Sequence, residues 1–246
     1  MKWVLNTTTM ALSLVISTSA LAWNESGGEK DEALTLEPNL ERGMEVFEVC
    51  SACHGTEGWG RKDGTFPQIA GQSREVLVKQ LSDIRAKNRD NPTMYPFALD
   101  DQIAGAAGYR PGQIKPAQLV SDVTAYIQKL PMNPDNGKGH WEKGTPEFEQ
   151  GKKLFKDNCV KCHGENGEGK AEKFYPRIQG QHYAYMLRQF EWIEAGKRRN
   201  ANPDMVKQIK NFTPKDQKMV INYVSRIPVP KKDLAPSVDW INPDFD

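Results

Sequence analysis

Cys50-Ser51-Ala52-Cys53-His54 and Cys159-Val160-Lys161-Cys162-His163 are two copies of one pattern, C-x-x-C-H, and together they use every cysteine of this 246-residue chain. The pattern is that of a c-type haem attachment site. Two thiols spaced this closely sit near each other on one helical turn, where both can form thioethers with the vinyl groups of a single porphyrin. The His that follows can reach the iron as its proximal ligand. Disulfides or a zinc site are the competing uses of paired cysteines. Neither accounts for a His directly after each pair. The sequence therefore predicts two covalently bound haem c groups, attached through Cys50, Cys53, Cys159 and Cys162, with His54 and His163 on the irons.

The repeat extends far beyond these motifs. Gly43-Met-Glu-Val-Phe47 is answered by Gly151-Lys-Lys-Leu-Phe155, and Phe66-Pro67-Gln68-Ile69-Ala70-Gly71-Gln72 by Tyr175-Pro176-Arg177-Ile178-Gln179-Gly180-Gln181. Asn91-Pro92-Thr93-Met94 is answered by Asn202-Pro203-Asp204-Met205, and each half closes on an apolar-periodic stretch ending at Pro131 or Pro228. A domain-sized period implies duplication, not a solenoid. Each half reads as helix, haem loop, helix, Met loop, helix, since its apolar residues recur at helical spacing and no alternating run demands a sheet. Met94 and Met205 are the expected sixth ligands: both follow an Asn-Pro turn, and a thioether suits reduced iron. Met44, Met132, Met186 and Met219 lack this repetition and read as core filler. His140 and His182 also do not repeat, and read as surface or hydrogen-bonding residues.

With those residues in view, the chain resembles the di-haem cytochromes c of the cytochrome c4 type, from about Leu40 to Pro228. The resemblance implies an all-α fold of two tandem class I cytochrome c domains, each wrapped round one haem, with His and Met on each iron. Pro67 and Pro176 match the family's prolines whose carbonyls accept from the ligand histidine, although simple turn formation would explain them equally well. Filled axial sites leave one-electron transfer and no catalytic residue. The expected role is a carrier between a quinol-oxidising complex or periplasmic dehydrogenase and a terminal oxidase or reductase. The alternatives are an electron-transfer subunit of a flavocytochrome-like dehydrogenase, or a di-haem enzyme acting on thiosulfate or peroxide. The thiosulfate enzymes use a distal cysteine, and this chain has no fifth.

The remaining segments follow from composition. Residues 1–22 read as a cleavable export leader, with Lys2, a short apolar run and Ala20-Leu21-Ala22, so a periplasmic location is expected. An uncleaved anchor is the alternative, but the apolar run is shorter than the ~20 residues a span needs. Residues 23–36 are acidic and expected to be flexible. Residues 37–131 form the first domain, 132–146 a polar linker, 147–228 the second domain and 229–246 a Pro-rich tail expected to wrap the surface. About 14 extra residues near Tyr95–Gly112 read as a neutral surface insertion in the first half. The runs Arg61-Lys62 and Lys197-Arg198-Arg199 read as solvated faces. Residues 23–139 carry 13 basic and 17 acidic residues, whereas 140–246 carry 19 and 15. Such a dipole can orient docking to redox proteins. No strongly basic domain suggests nucleic acid, and no segment of the mature chain is apolar enough to span a bilayer.

Overall fold

The computed structural model describes Trp23 and residues 27–245; the expected leader, residues 1–22, lies outside the described residues. The first half contains α1 (Glu29–Thr35), α2 (Leu40–His54), α3 (Arg74–Arg85), α4 (Asp100–Ala106) and α5 (Pro116–Lys129). The second contains α6 (Pro146–Asn158), α7 (Val160–His163), α8 (Tyr183–Glu194), α9 (Pro203–Ile209) and α10 (Pro214–Ser225). No strand forms among the described residues, which show only isolated bridges at Met132–Leu234 and Lys170–Tyr175. The all-helical, duplicated architecture expected from the repeat is the one observed.

Each half is organised by its first long helix crossing its last, α2 on α5 and α6 on α10. The repeated glycines make these crossings possible. A Cβ on Gly43 would lie 2.3 Å from the Asp122 carbonyl oxygen, and one on Gly151 would lie 2.1 Å from that of Met219. One turn on, the fully buried Phe47 and Phe155 tilt against Tyr126 and Tyr223. Their centroid separations are 5.4 and 5.5 Å, with the same 48° between ring planes. Pro116 and Pro214 open the closing helices at their first turn, where a missing N–H costs nothing.

Three segments behave differently from expectation, and the tail adds detail to it. The acidic residues 23–36 include α1, which packs on α3 and α5 with Ala33 fully buried. Apolar Ala33 and the ion pair Glu29–Arg85 anchor what charge alone suggested would be loose. The Tyr95–Gly112 insertion is not neutral surface. It forms a 3-10 turn and α4, whose Ile103 and Ala104 complete the first core together with Ala107. The linker 132–146 is largely buried where it runs between the domains. Asn136 donates to the carbonyls of Gln181 and Ser225, so its polarity serves internal bonds and not solvation. The tail does wrap the surface, first at the domain junction, where Asp233 pairs with Arg177 of the second domain at 2.7 Å, and then over the first domain. Asn242, 1% exposed, donates to the Thr56 carbonyl and the Tyr126 hydroxyl, and Phe245 packs edge-on to Phe47.

The domains meet about a pseudo-twofold, visible in which atoms bond. Gln72 donates to the Arg177 carbonyl (2.9 Å) and accepts from its N–H (3.0 Å). Gln181, the repeat partner of Gln72, does the same to Gln68, the repeat partner of Arg177, at 2.7 and 3.0 Å. This is the self-complementary logic of a C2 dimer, built within one chain. Met132 fills the gap between Gly71 and Gly180: a Cβ on either glycine would meet it at 2.5 or 2.7 Å. Met132, Met186 and Met219 are all buried, in keeping with packing roles.

A second seam joins α3 to α8 and the segment after it. Arg198 donates to Gln80 and Gln189, while Arg199 reaches Asp90 and the Lys87 carbonyl. Two of the three residues in this basic run therefore cross to the first domain and do not form a solvated face.

His182 closes the interface and makes it sensitive to acid. It is 0% exposed; its Nε2–H donates to the Trp59 carbonyl (2.7 Å) and its Nδ1 accepts from the Gly137 N–H (3.0 Å). A second proton on Nδ1 would oppose one donor to another, and burial, the largest influence, holds this imidazole below its ordinary range. A depressed histidine contributes stability in full above the unfolded value of about 6.5 and loses it as pH falls toward the folded value. Urea midpoints should therefore drop between pH 7 and pH 5, and His182→Asn should flatten that slope. An equal slope in the variant would assign the acid sensitivity elsewhere.

Candidate haem sites

In the first domain the last turn of α2 carries Cys50, Cys53 and His54, and Gly55 ends the helix at φ 79°. In the second, Cys159 interrupts the helix and the short α7 carries Cys162 and His163, ending at Gly164 with φ 82°. None of the four thiols is paired in a disulfide. Burial, ahead of the neighbouring thiol, pushes Cys50 and Cys159 up to about 12.

Beyond each histidine the chain folds back on it in the same way twice. Gly60 N–H donates to the His54 carbonyl and Gly169 N–H to the His163 carbonyl, both at 2.7 Å. These glycines have φ of 67° and 82°, and a Cβ on them would lie 2.4 Å from the Pro67 carbonyl oxygen or 2.6 Å from that of Tyr175. This return brings Pro67 O to 2.9 Å from His54 Nδ1 and Pro176 O to 3.0 Å from His163 Nδ1. A carbonyl oxygen only accepts, so the proton sits on Nδ1 and the Nε2 lone pair remains available. Burial lowers both imidazoles, with the proline carbonyl acting in the opposite direction. A neutral ring with its tautomer fixed by a carbonyl is the form that binds a metal ion. The two prolines thus accept from the histidines, the alternative that sequence left open.

The methionines occupy related but unequal settings. Met94 ends the Asn91 turn, its N–H donating to the Asn91 carbonyl (3.1 Å), and is half-buried just before the 3-10 turn Tyr95–Ala98. Met205 lies in the first turn of α9, capped by Asn202, and packs against the second core. What sequence presented as two like loops is one turn and one helix. Of the rival histidines, His140 is exposed and lies over Trp141, and both ring nitrogens of His182 are engaged. His182 is therefore the hydrogen-bonding residue expected, but deep in the domain interface and not at the surface.

The residues present fit two covalent haems: each site offers two free thiols and one oriented, buried imidazole. No other cluster of His, Cys, Asp or Glu suited to a metal ion occurs among the described residues, and no helix there is long and apolar enough to cross a membrane. Sequence reading passed over Gly60 and Gly169, although both recur at the offset of the cysteines.

Comparison with known proteins agrees with this geometry. The family model described as cytochrome c matches residues 40–131 and again 148–228. Cytochrome c4 of Stutzerimonas stutzeri is 30% identical over 179 residues, covering 68% of this chain and 78% of that one. A protein named thiosulfate dehydrogenase electron acceptor, from S. stutzeri strain A1501, is 28% identical and covers 69% of this chain and 74% of its own. Among solved structures, reduced recombinant cytochrome c4 from Pseudomonas stutzeri superposes with a TM-score of 0.63 at 27% identity. It covers 78% of this chain and 100% of the solved one.

Proposed function

Since this chain belongs to the cytochrome c family, as a di-haem electron carrier of the cytochrome c4 type, we propose that it works in the periplasm with His54/Met94 and His163/Met205 as its axial pairs. When bound, each haem supplies a one-electron iron couple. The chain's own residues do the rest. Cys50 with Cys53, and Cys159 with Cys162, hold the groups in place. Pro67 and Pro176 hold the proton on Nδ1 of each histidine, so Nε2 would be the atom that binds the metal. Met94 and Met205 would supply the second protein ligand to each iron, which would leave substrate no vacancy and favour transfer over turnover.

The observation that carries this reading is the twice-built histidine–proline bond beside two free thiols. The leader-like residues 1–22 support export. A relative named as an electron acceptor of thiosulfate dehydrogenase supports a periplasmic dehydrogenase among the donors, ahead of a terminal oxidase or reductase as acceptor. The uneven charge of the two halves supports oriented docking to such proteins.

The test is the optical spectrum of the purified oxidised protein with haem counted per chain. Two covalent haems and a sulfur-to-iron charge-transfer band of full strength for two irons are expected. A band at half strength or absent would overturn paired His/Met ligation and bring the enzyme alternative forward.

A further inference from the structure

The duplication leaves the surface at Tyr126 of the first domain filled and that at its repeat partner Tyr223 open, although Phe155, the counterpart of Phe47, is fully buried and does not line the opening. On the first domain, the surface beside the α2–α5 crossing holds the chain's own C-terminal segment, Asn242-Pro243-Asp244-Phe245. The Tyr126 hydroxyl donates to Asp244 (2.8 Å) and accepts from Asn242 (2.9 Å), while Phe245 packs 5.7 Å from Phe47 at 81°. The repeat partners of Tyr126 and Phe47 are Tyr223 and Phe155, and that pair has the same geometry. There, however, no hydrogen bond reaches the Tyr223 hydroxyl among the described residues. Instead Tyr223 lines a cleft of about 310 Å3 with Phe148, Glu149, Lys152, Arg226 and Lys143.

We propose that this cleft on the second domain is a docking site for an acidic, aromatic-bearing segment of a partner protein, of the Asn-Pro-Asp-Phe kind that the first domain already binds. Its lining argues for that chemistry. Tyr223 is placed to donate to a carboxylate, as Tyr126 does. Lys152 stands where the first domain has Met44, so the second site adds a cation that the first lacks. Lys143 and Lys152 line the cleft with one carboxylate, Glu149, while the third cation, Arg226, is already paired at two points with Glu142 at 2.7 Å. Phe148 and Ile227 supply the apolar floor for an aromatic ring. The occupant is a foreign chain and not a second copy's tail, because lending that tail would strip Asn242 and Phe245 from the lender's own first domain.

The experiment uses the intact di-haem protein and a dye-labelled peptide, Ile-Asn-Pro-Asp-Phe-Asp, followed by fluorescence anisotropy. Saturable binding is expected, weakened about tenfold or more by Lys152→Glu and about threefold to tenfold by Tyr223→Phe. A peptide with both Asp replaced by Asn should lose a similar factor. Lys152 makes no ion pair or hydrogen bond within the described residues, so its replacement should leave haem content and the unfolding midpoint unchanged. No saturable binding, or binding indifferent to both substitutions, overturns the site. Self-association of the intact protein that vanishes when residues 242–246 are removed overturns the foreign occupant in favour of a second copy.

Discussion

Met205→Ala is expected to keep both haems attached, halve the sulfur-to-iron charge-transfer band and lower one midpoint potential by a sizeable share of the ~0.8 V that axial ligation spans. Soft sulfur favours the reduced iron, so its loss moves the potential down and not up. Met94→Ala should remove the other half of the band, and the double variant should remove it entirely. Met205 is half-buried on the first turn of α9, so truncation costs packing as well. Met186 provides the control for that cost. It is buried in the same core, and Met186→Ala should destabilise by about 2–5 kcal/mol while leaving the band intact. A full band in Met205→Ala would show that another side chain ligates the second iron.

How far the sequence foretold these sites depends on which residues were repeated. Gly43 and Gly151, Phe47 and Phe155, and the paired C-x-x-C-H motifs all announced themselves twice; the glycine and phenylalanine pairs each adopt one geometry, whereas the helix runs unbroken through the first motif and is interrupted at Cys159 in the second. Pro67 and Pro176 were also visible, but a proline's carbonyl reads the same in a string whether it turns the chain or accepts a bond. Features that break the repeat were misjudged. Arg198 and His182 look like surface residues by type, yet each satisfies its polar atoms across the domain interface, and the linker's Asn136 is buried against the second domain. Burial of that kind depends on the second domain's position, which no local pattern encodes. The same holds for Ile103 and Phe245, whose apolar character was plain but whose destination, the first core, was not.

Those unrepeated residues also show how the halves came to differ. A strictly symmetric duplication would leave two equal domains and two equal docking faces. Here the insertion thickens the first core and the tail seals the first domain's Tyr126 site, while the equivalent face of the second domain stays open and gains Lys152. The two irons thus sit in domains of unlike surface and opposite charge. That is the asymmetry a carrier needs if it receives and delivers at different ends.

Asp83→Ala is expected to be the most damaging single change at the interface, costing about 3–5 kcal/mol. Asp83 Oδ2 accepts from Lys79 Nζ at 2.5 Å and from Asn200 of the second domain at 2.7 Å. Lys79 is 1% exposed, and burial, the largest influence, already pulls its ammonium below the ordinary lysine range. Among the described residues, Asp83 and the face of Trp23, 4.4 Å away, favour its charge, while Arg198 and Lys30 oppose it. Removing the carboxylate strands that charge and takes from the Asn200 amide the shorter of its two bonds to the first domain, leaving only the one to Gln80 at 3.2 Å. Against a typical total of about 5–15 kcal/mol, such a loss should split thermal unfolding into two transitions as the domains uncouple. Replacing both partners, Lys79→Met with Asp83→Leu, should recover most of the loss, since an apolar pair leaves nothing charged to bury. Equilibrium unfolding of the two single variants and the double variant gives the coupling directly. An unchanged midpoint in Asp83→Ala would mean that Lys79 gives up its proton and rests neutral against Trp23. The seam would then hold through the bonds of Arg198 and Arg199, of Arg89 to Tyr185 and Gln189, and of Asn200 to Gln80.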